Sequence, residues 1–514
     1  MIGKVYESRL KNAKRNAYSG FIKQIVNIVL TFAIRTAVIY VLGAEYQGLS
    51  GLFSSILQVL NLSELGFSSA VTFILYKPIA EENNDEICAI IAYLKKIYFI
   101  IGIAILAIGI LLMPFLPHLI SGSCPDDINL YVLFEIYLVN SSISYLFFSY
   151  KSTLLTAMQR EDIVSNIYTI TTLFSKVLQF ILLIMLENYY FYVLILPVNS
   201  LVNNLLLEII SKRAFPNIKP KGIVSAETKK EFQRQVSASL LNRICDIARN
   251  SLDNIVISSI LGLVAVAIYG NYYCIFAAVY EIIGVIVHSV QASVGNSLVK
   301  ETVEKNYQDC RKFSFILMWT VGWCAICMCC LYQPFMMLWM KGDTGLLLSP
   351  TNMILFCVYF YAISMTRTKG VYLEAKGLYW ECRKLYILET LGNLVLNIGL
   401  CKIWGITGIL IATIITVVVF NFCGGTRILF KFYFKSGEKS FYLSHIKYFI
   451  VTSLSGIITF GICNEIPFDG YLGLLLKALI CLIVPNIIYF LIYFKTQMFK
   501  ETFDTMKGLV RARG

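Results

Sequence analysis

The stretch Arg243-Ile-Cys-Asp246-Ile-Ala-Arg249-Asn-Ser-Leu-Asp253 lies inside a run from Val236 to Gly262 that is otherwise apolar enough to cross a membrane. On a helix turning about 100° per residue, Arg243, Asp246, Arg249 and Asp253 fall within an arc of roughly 120°. Ile244, Ile247 and Ile255 occupy the opposite face. A charge in hydrocarbon costs about 2.5–3.5 kcal/mol on insertion scales, so the charged face meets water, protein or a charged ligand. Pairing within the helix is one solution: Arg243–Asp246 and Asp246–Arg249 at i,i+3, Arg249–Asp253 at i,i+4. Pairing does not remove the need for polar surroundings, so a polar cavity beside this helix is expected.

Working outward, the chain reads as fourteen spans, each long enough for about 30 Å of hydrocarbon. The first six cover 18–42, 47–76, 88–116, 128–156, 164–186 and 190–213. The next six cover 236–262, 265–298, 311–340, 349–375, 381–402 and 405–431, and two more follow at 446–464 and 470–494. The expected fold class is all-α: a polytopic membrane protein with two pseudo-symmetric six-helix lobes plus two C-terminal helices. The lobes are 18–213 and 236–431, joined by a polar linker over 214–235. Residues 1–17 form a basic segment ahead of the first span, read as a surface helix that ends near residue 19, and 495–514 a tail. A shift of 219 residues lays the lobes over each other, so that Leu42-Gly43 meets Leu261-Gly262 and Gly51 meets Gly270.

Composition agrees. Of 514 residues 57% are hydrophobic, and the mean hydropathy is +0.70, which excludes an ordinary soluble domain. The net charge of +13 follows the links between spans, so nucleic acid is not implied. Lys and Arg crowd alternate links, including Lys95–Lys96, Lys212–Arg234, Lys300–Lys312 and Lys431–Lys447. The intervening links around Gly43, Pro117–Ile128, Glu187–Tyr189, Leu263 and Asn464–Asp469 have none; Lys341 and Lys402 are exceptions. By the positive-inside rule both termini are cytoplasmic. The first apolar run is too long for a signal peptide and is expected to remain as a span. Fifteen cysteines are scattered through apolar runs; Cys327 and Cys330 have CxxC spacing, but no His or second CxxC completes a site in sequence, so they read as small apolar fillers and no metal or cofactor is expected.

Ionisable residues recur inside other spans. Arg35, Arg243, Arg249, Arg367 and His288 are the candidate binding residues for an anionic headgroup such as a diphosphate, because the arginine fork suits phosphate oxygens. Glu64, Asp246, Asp253 and Glu281 are candidates for charge pairing or ion coupling. Lys176 and Lys477 read as snorkelling side chains. No G-x-x-x-x-G-K-[ST] is present, so no P-loop nucleotide chemistry is expected. The outer links are too short to hold a catalytic domain, and no enzymatic activity is expected.

The run Tyr40-Val-Leu-Gly43-Ala-Glu45-Tyr-Gln-Gly48-Leu-Ser-Gly51-Leu-Phe53, continued by Leu62-Ser-Glu64-Leu-Gly66-Phe and Tyr76-Lys77-Pro78-Ile-Ala80-Glu81, resembles the Wzx-type polysaccharide flippases. Leu10-Lys-Asn-Ala-Lys-Arg15-Asn is similar to them too. These belong to the multidrug/oligosaccharidyl-lipid/polysaccharide exporter superfamily, with a fold shared by MATE transporters and lipid II flippases. The resemblance implies a cationic central cavity lined by the first, second, seventh and eighth spans, and alternating access driven by an ion gradient. It implies a lipid-linked oligosaccharide on undecaprenyl diphosphate as substrate, in a bacterial plasma membrane. It also implies membrane lipid and the polysaccharide polymerase and glycosyltransferases of the same route as partners. In lipid II flippases the two extra C-terminal spans form a lipid groove. Two other functions suit an oily chain of this kind. A cation-coupled drug exporter would use Glu64, Asp246 or Asp253 as coupling carboxylates; the surplus of buried positive charge disfavours cationic drugs. An integral-membrane polymerase or acyltransferase would need larger outer loops.

Overall fold

A computed structural model describes residues 9–61, 67–122, 124–468 and 470–511, with side chains throughout except at 9–14, 67–70, 235–243, 246, 248, 250, 292 and 506–511. Among the described residues it is all-helical, and it divides into two compact units, 1–267 and 268–514. Among the described residues eleven helices are long and apolar enough to cross a membrane, or twelve when a bent pair counts as one span. Glu64, in the second expected span, lies outside the described residues, and the side chains of Arg243 and Asp246, in the seventh, are not described.

The first unit holds α1 (Arg9–Val41), α2 (Ala44–Leu60), α3 (Phe67–Ala80), α4 (Asn84–Leu112), α5 (Leu130–Leu146), α6 (Tyr150–Ala157), α7 (Glu161–Leu186), α8 (Tyr189–Ala214) and α9 (Ala226–Leu261). Its core packs Phe53 edge-on against Phe134 and Tyr137, with Leu49, Leu52 and Leu94 fully buried around them. The helices expose large apolar side chains outward, as Phe174 and Met185 do at 72% and 74%, which only lipid solvates well.

From Arg9 the basic N-terminal segment is not a separate surface helix. It is the first two turns of α1 itself. The cause is local: the Arg15 guanidinium pairs with Asp162 at 3.1 Å, and Asn16 bonds both the Asp162 amide and the Gln159 carbonyl. Asp162 also holds Arg160 at 3.1 Å, so the foot of α7 clamps α1 upright. The expected linker is partly helical as well, because Ser225 caps α9 through the Thr228 amide and starts it ten residues before the apolar run.

The turns between paired spans repeat. α1 passes to α2 through Leu42-Gly43, and α9 passes to α10 (Leu263–Lys300) through Gly262 alone. Gly43 and Gly262 adopt φ of 119° and 87° with extended ψ, which a side chain disfavours. Five residues on, Gly48 brings the α2 backbone against α10: a Cβ there would lie 2.1 Å from the Leu263 carbonyl oxygen.

The second unit continues α10 and adds α11 (Val303–Trp339), α12 (Pro350–Met365), α13 (Arg367–Ala375), α14 (Tyr379–Trp404), α15 (Ile406–Thr416), α16 (Gly425–Leu429), α17 (Glu438–Asn464), α18 (Gly470–Tyr493) and α19 (Gln497–Arg511). The span opened by α15 contains two π-helical stretches, Val417–Gly424 and Phe430–Phe434. α17 and α18 pack on α11, where Trp319 bonds Asn486 and Trp323 bonds the Cys481 carbonyl. The tail is a helix: α19 docks through Phe499, which meets Trp319 and Phe490.

The charge asymmetry of the links gives a direct test of orientation. Asp126 and Ser436 are both exposed, on links expected on opposite faces. With Cys124 replaced by serine, Asp126→Cys should react with a membrane-impermeant maleimide in right-side-out vesicles, and Ser436→Cys only in inside-out ones. The reverse pattern would invert the topology.

Candidate functional site

In each unit a buried lysine sits on the helix that follows an interruption, and among the described residues only the interruption in the first unit is a sharp bend. In the first unit α5 and α6 meet at 46°, with Phe148 at φ 57° in the break. A bulky residue in the left-handed region marks stored strain. The bend delivers Lys151, 1% exposed, to the Glu208 carboxylate of α8 at 3.5 Å, and Lys212 binds the other oxygen at 2.8 Å. In the second unit α12 breaks into α13, which carries buried Lys369. Its ammonium donates to Asn421 Oδ1 at 2.7 Å, and the Asn421 amide donates to both oxygens of buried Glu389 at 3.0 and 3.2 Å. Asn421 sits in the first π-helical stretch, where widened turns commonly mark functional sites.

The charged face of α9 is accounted for at two of its four positions. Arg249 is 6% exposed and Asp253 2%, so both lie inside protein and not toward lipid. Around them α9 is fastened to α2 by polar contacts: Ser251 donates to Gln58 at 3.1 Å, and Asn254 donates to Ser55 at 2.9 Å. Arg35 of α1 is half-buried and donates to the Ala267 carbonyl at 3.4 Å. The first, second and seventh spans and the start of the eighth therefore meet within the first unit through polar groups.

In the second unit α10 and α13 form a polar wall. The Arg367 guanidinium stacks on the Tyr280 ring at 3.8 Å, and its Nη2 donates to the Tyr280 carbonyl at 3.5 Å. Gly284 leaves room for it: a Cβ there would stand 3.4 Å from Nη1. Two turns on, Gln291 donates to the Glu374 carboxylate at 2.6 Å, and its carbonyl oxygen meets His288 Nδ1 at 3.1 Å. Arg367 is half-buried; His288, Glu374 and Glu281 are exposed. A guanidinium flat on an aromatic ring keeps its outer edge available for a second, bidentate partner.

The sequence singles out Arg35, Arg249, Asp253, Arg367 and His288 as candidates; it does not single out the contacts of Lys151, Glu208, Lys369, Glu389 and Gln291 that the structure adds. Lys151 and Glu208 stood inside the fourth and sixth expected spans, so opposite charges in two spans were the available signal.

Taken together, fold and polar groups define a polytopic helical membrane protein in which each unit holds an interrupted span and a buried lysine network. No known family profile and no curated protein matches the sequence. Among solved structures, the chain is similar to the lipid II flippase MurJ in an inward closed conformation, with a TM-score of 0.67 at 15% identity over 93% of this chain and 98% of that one. It is also similar to an inward-facing multidrug resistance MATE transporter of the MOP superfamily (TM-score 0.55, 15% identity, 79% and 94% covered). A MOP-superfamily transporter from Pyrococcus furiosus matches with a TM-score of 0.55 at 16% identity, covering 84% of this chain and 98% of that one. The protein thus has the fold shared by lipid II flippase and MATE transporters.

Proposed function

We propose that the protein is a flippase that carries lipid-linked oligosaccharide units, held on undecaprenyl diphosphate, across a bacterial plasma membrane by alternating access. One observation carries this reading: the α10–α13 wall keeps the half-buried Arg367 stacked on Tyr280 inside a span. An ionisable side chain at that depth is a functional group by default, and a stacked arginine suits a diphosphate better than a cation. Arg35, Arg249, Arg243 and His288 are further binding residues in this reading, and Asp253, Asp246, Glu64 and Glu281 balance charge or couple an ion. The fold match to a lipid II flippase over nearly the whole chain supports a lipid-borne cargo by analogy of architecture. Polymerase and glycosyltransferases would be its neighbours in the route.

The test is reconstitution. Proteoliposomes loaded with a fluorescent polyprenyl-diphosphate oligosaccharide should expose the sugar of the inner leaflet to an external, impermeant glycosidase only when the protein is present. Export of cationic dyes without sugar movement would replace this reading with a drug exporter.

A further inference from the structure

The CxxC of α11 lacks partners in the sequence; the fold supplies them. Cys330 of α11, Cys463 of α17 and Cys481 of α18 are all buried, and their sulfur atoms lie within 4.8 Å of one another. Cys463 Sγ and Cys481 Sγ are 4.0 Å apart. Cys327, one turn from Cys330, brings a fourth thiol against Cys481, its Sγ 3.8 Å from the Cys481 carbonyl. Three helices thus bring three sulfurs together, 151 residues apart in sequence at the widest (330 to 481), with Cys327 beside them. Neighbouring Cys329 turns the other way, toward Cys357 of α12.

From this convergence we infer that Cys330, Cys463 and Cys481 form a thiolate site for a divalent d10 cation, with zinc as the reference ion, that fastens α17 and α18 to α11. Soft sulfur donors select such ions. A tetrahedral zinc with bonds of about 2.3 Å sets its sulfurs about 3.8 Å apart, so the observed spacing needs to close by about 1 Å at most. Charge also balances. Cys330, Cys463 and Cys481 release their protons to water on binding, and three thiolates against a dication leave one negative charge. Lys477 stands one turn before Cys481 on α18, and its ammonium offsets that charge. Water takes the fourth position, and Cys327 packs beside the shell. Around the site the Trp323 indole donates to the Cys481 carbonyl at 2.8 Å, which fixes that helix turn. Cys463 lies in the last turn of α17, beside the link to α18, which gives an ion a short way in from water.

The experiment is a cobalt titration of the full-length protein, purified in detergent and stripped of metal under reducing conditions. One equivalent of Co(II) should bring up the intense thiolate-to-cobalt charge-transfer absorption, and one equivalent of Zn(II) should abolish it. Cys330→Ser, Cys463→Ser and Cys481→Ser should each lower the absorption more than tenfold, and Cys327→Ser should weaken it less. Cys357→Ala should leave it unchanged. Helix content and elution volume show that each variant is folded. A folded wild-type protein without the absorption would overturn the site. So would an undiminished signal in the Cys463→Ser/Cys481→Ser double variant, uptake of Cu(I) alone, or a Cys463–Cys481 disulfide in protein isolated without oxidant.

Discussion

Glu208→Ala should destabilise the protein by about 3–5 kcal/mol, the usual cost of leaving one member of a buried ion pair alone. Lys151 is 1% exposed and has its carboxylate partner at 3.5 Å; Lys212, on the same carboxylate, is on the exposed side. Removing the carboxylate leaves two ammonium groups facing each other at the junction of α6 and α8. The double variant Lys151→Met/Glu208→Leu removes both buried charges and fills the space. It should recover most of the loss, since well-packed apolar replacements of buried pairs are often neutral or stabilising. Thermal unfolding in detergent, followed by helix content, reads both. A Glu208→Ala protein within about 1 kcal/mol of the original would show that water reaches Lys151 and that the pair is not a lone buried contact.

Arg367→Glu should abolish transport of the polyprenyl-diphosphate oligosaccharide while the protein stays folded. Arg367 is half-buried and stacks on Tyr280, so helix content and elution volume must be unchanged in each variant before transport is compared. Losing one close charge pair with a diphosphate costs about 2–5 kcal/mol, roughly thirtyfold to several thousandfold in affinity. Reversal adds repulsion. Arg367→Lys should fall between, because lysine keeps the charge but neither forks nor stacks as well. The flipping assay above reads all three. Transport by Arg367→Glu at a tenth of the normal rate or better would remove Arg367 from the binding site and turn attention to Arg249 and Arg35.

Much of this molecule is legible in its residues, because membrane spans obey a local rule. Length, apolar content and the alternation of basic and bare links place the helices without knowledge of their neighbours. The Leu-Gly turns at 43 and 262 are legible for the same reason: the signal lies in the turn itself. What sequence alone leaves open is rotation. Whether Asp253 faces protein and His288 faces outward depends on which neighbour each helix packs against. The Lys369–Asn421–Glu389 chain depends further on π-helical turns that no local preference announces. The cysteines show the same limit in its simplest form. One member of the cluster, Cys330, belongs to a visible CxxC on α11, and the other two, Cys463 and Cys481, lie more than 130 residues further along the chain.

The glycine joints also bear on how such a molecule can move. A connector of one or two residues spans only a few ångströms, so the adjoining ends of α1 and α2, and of α9 and α10, are tethered with almost no slack. Each hairpin can swing about its tether but cannot separate there. Displacement must grow with distance from the joint and be greatest at the far ends of the helices, where α9 is preceded by the longer connector 215–225. A thiol cross-link placed near either glycine would then leave motion nearly intact, whereas one placed at the far ends of the same helices would stop it.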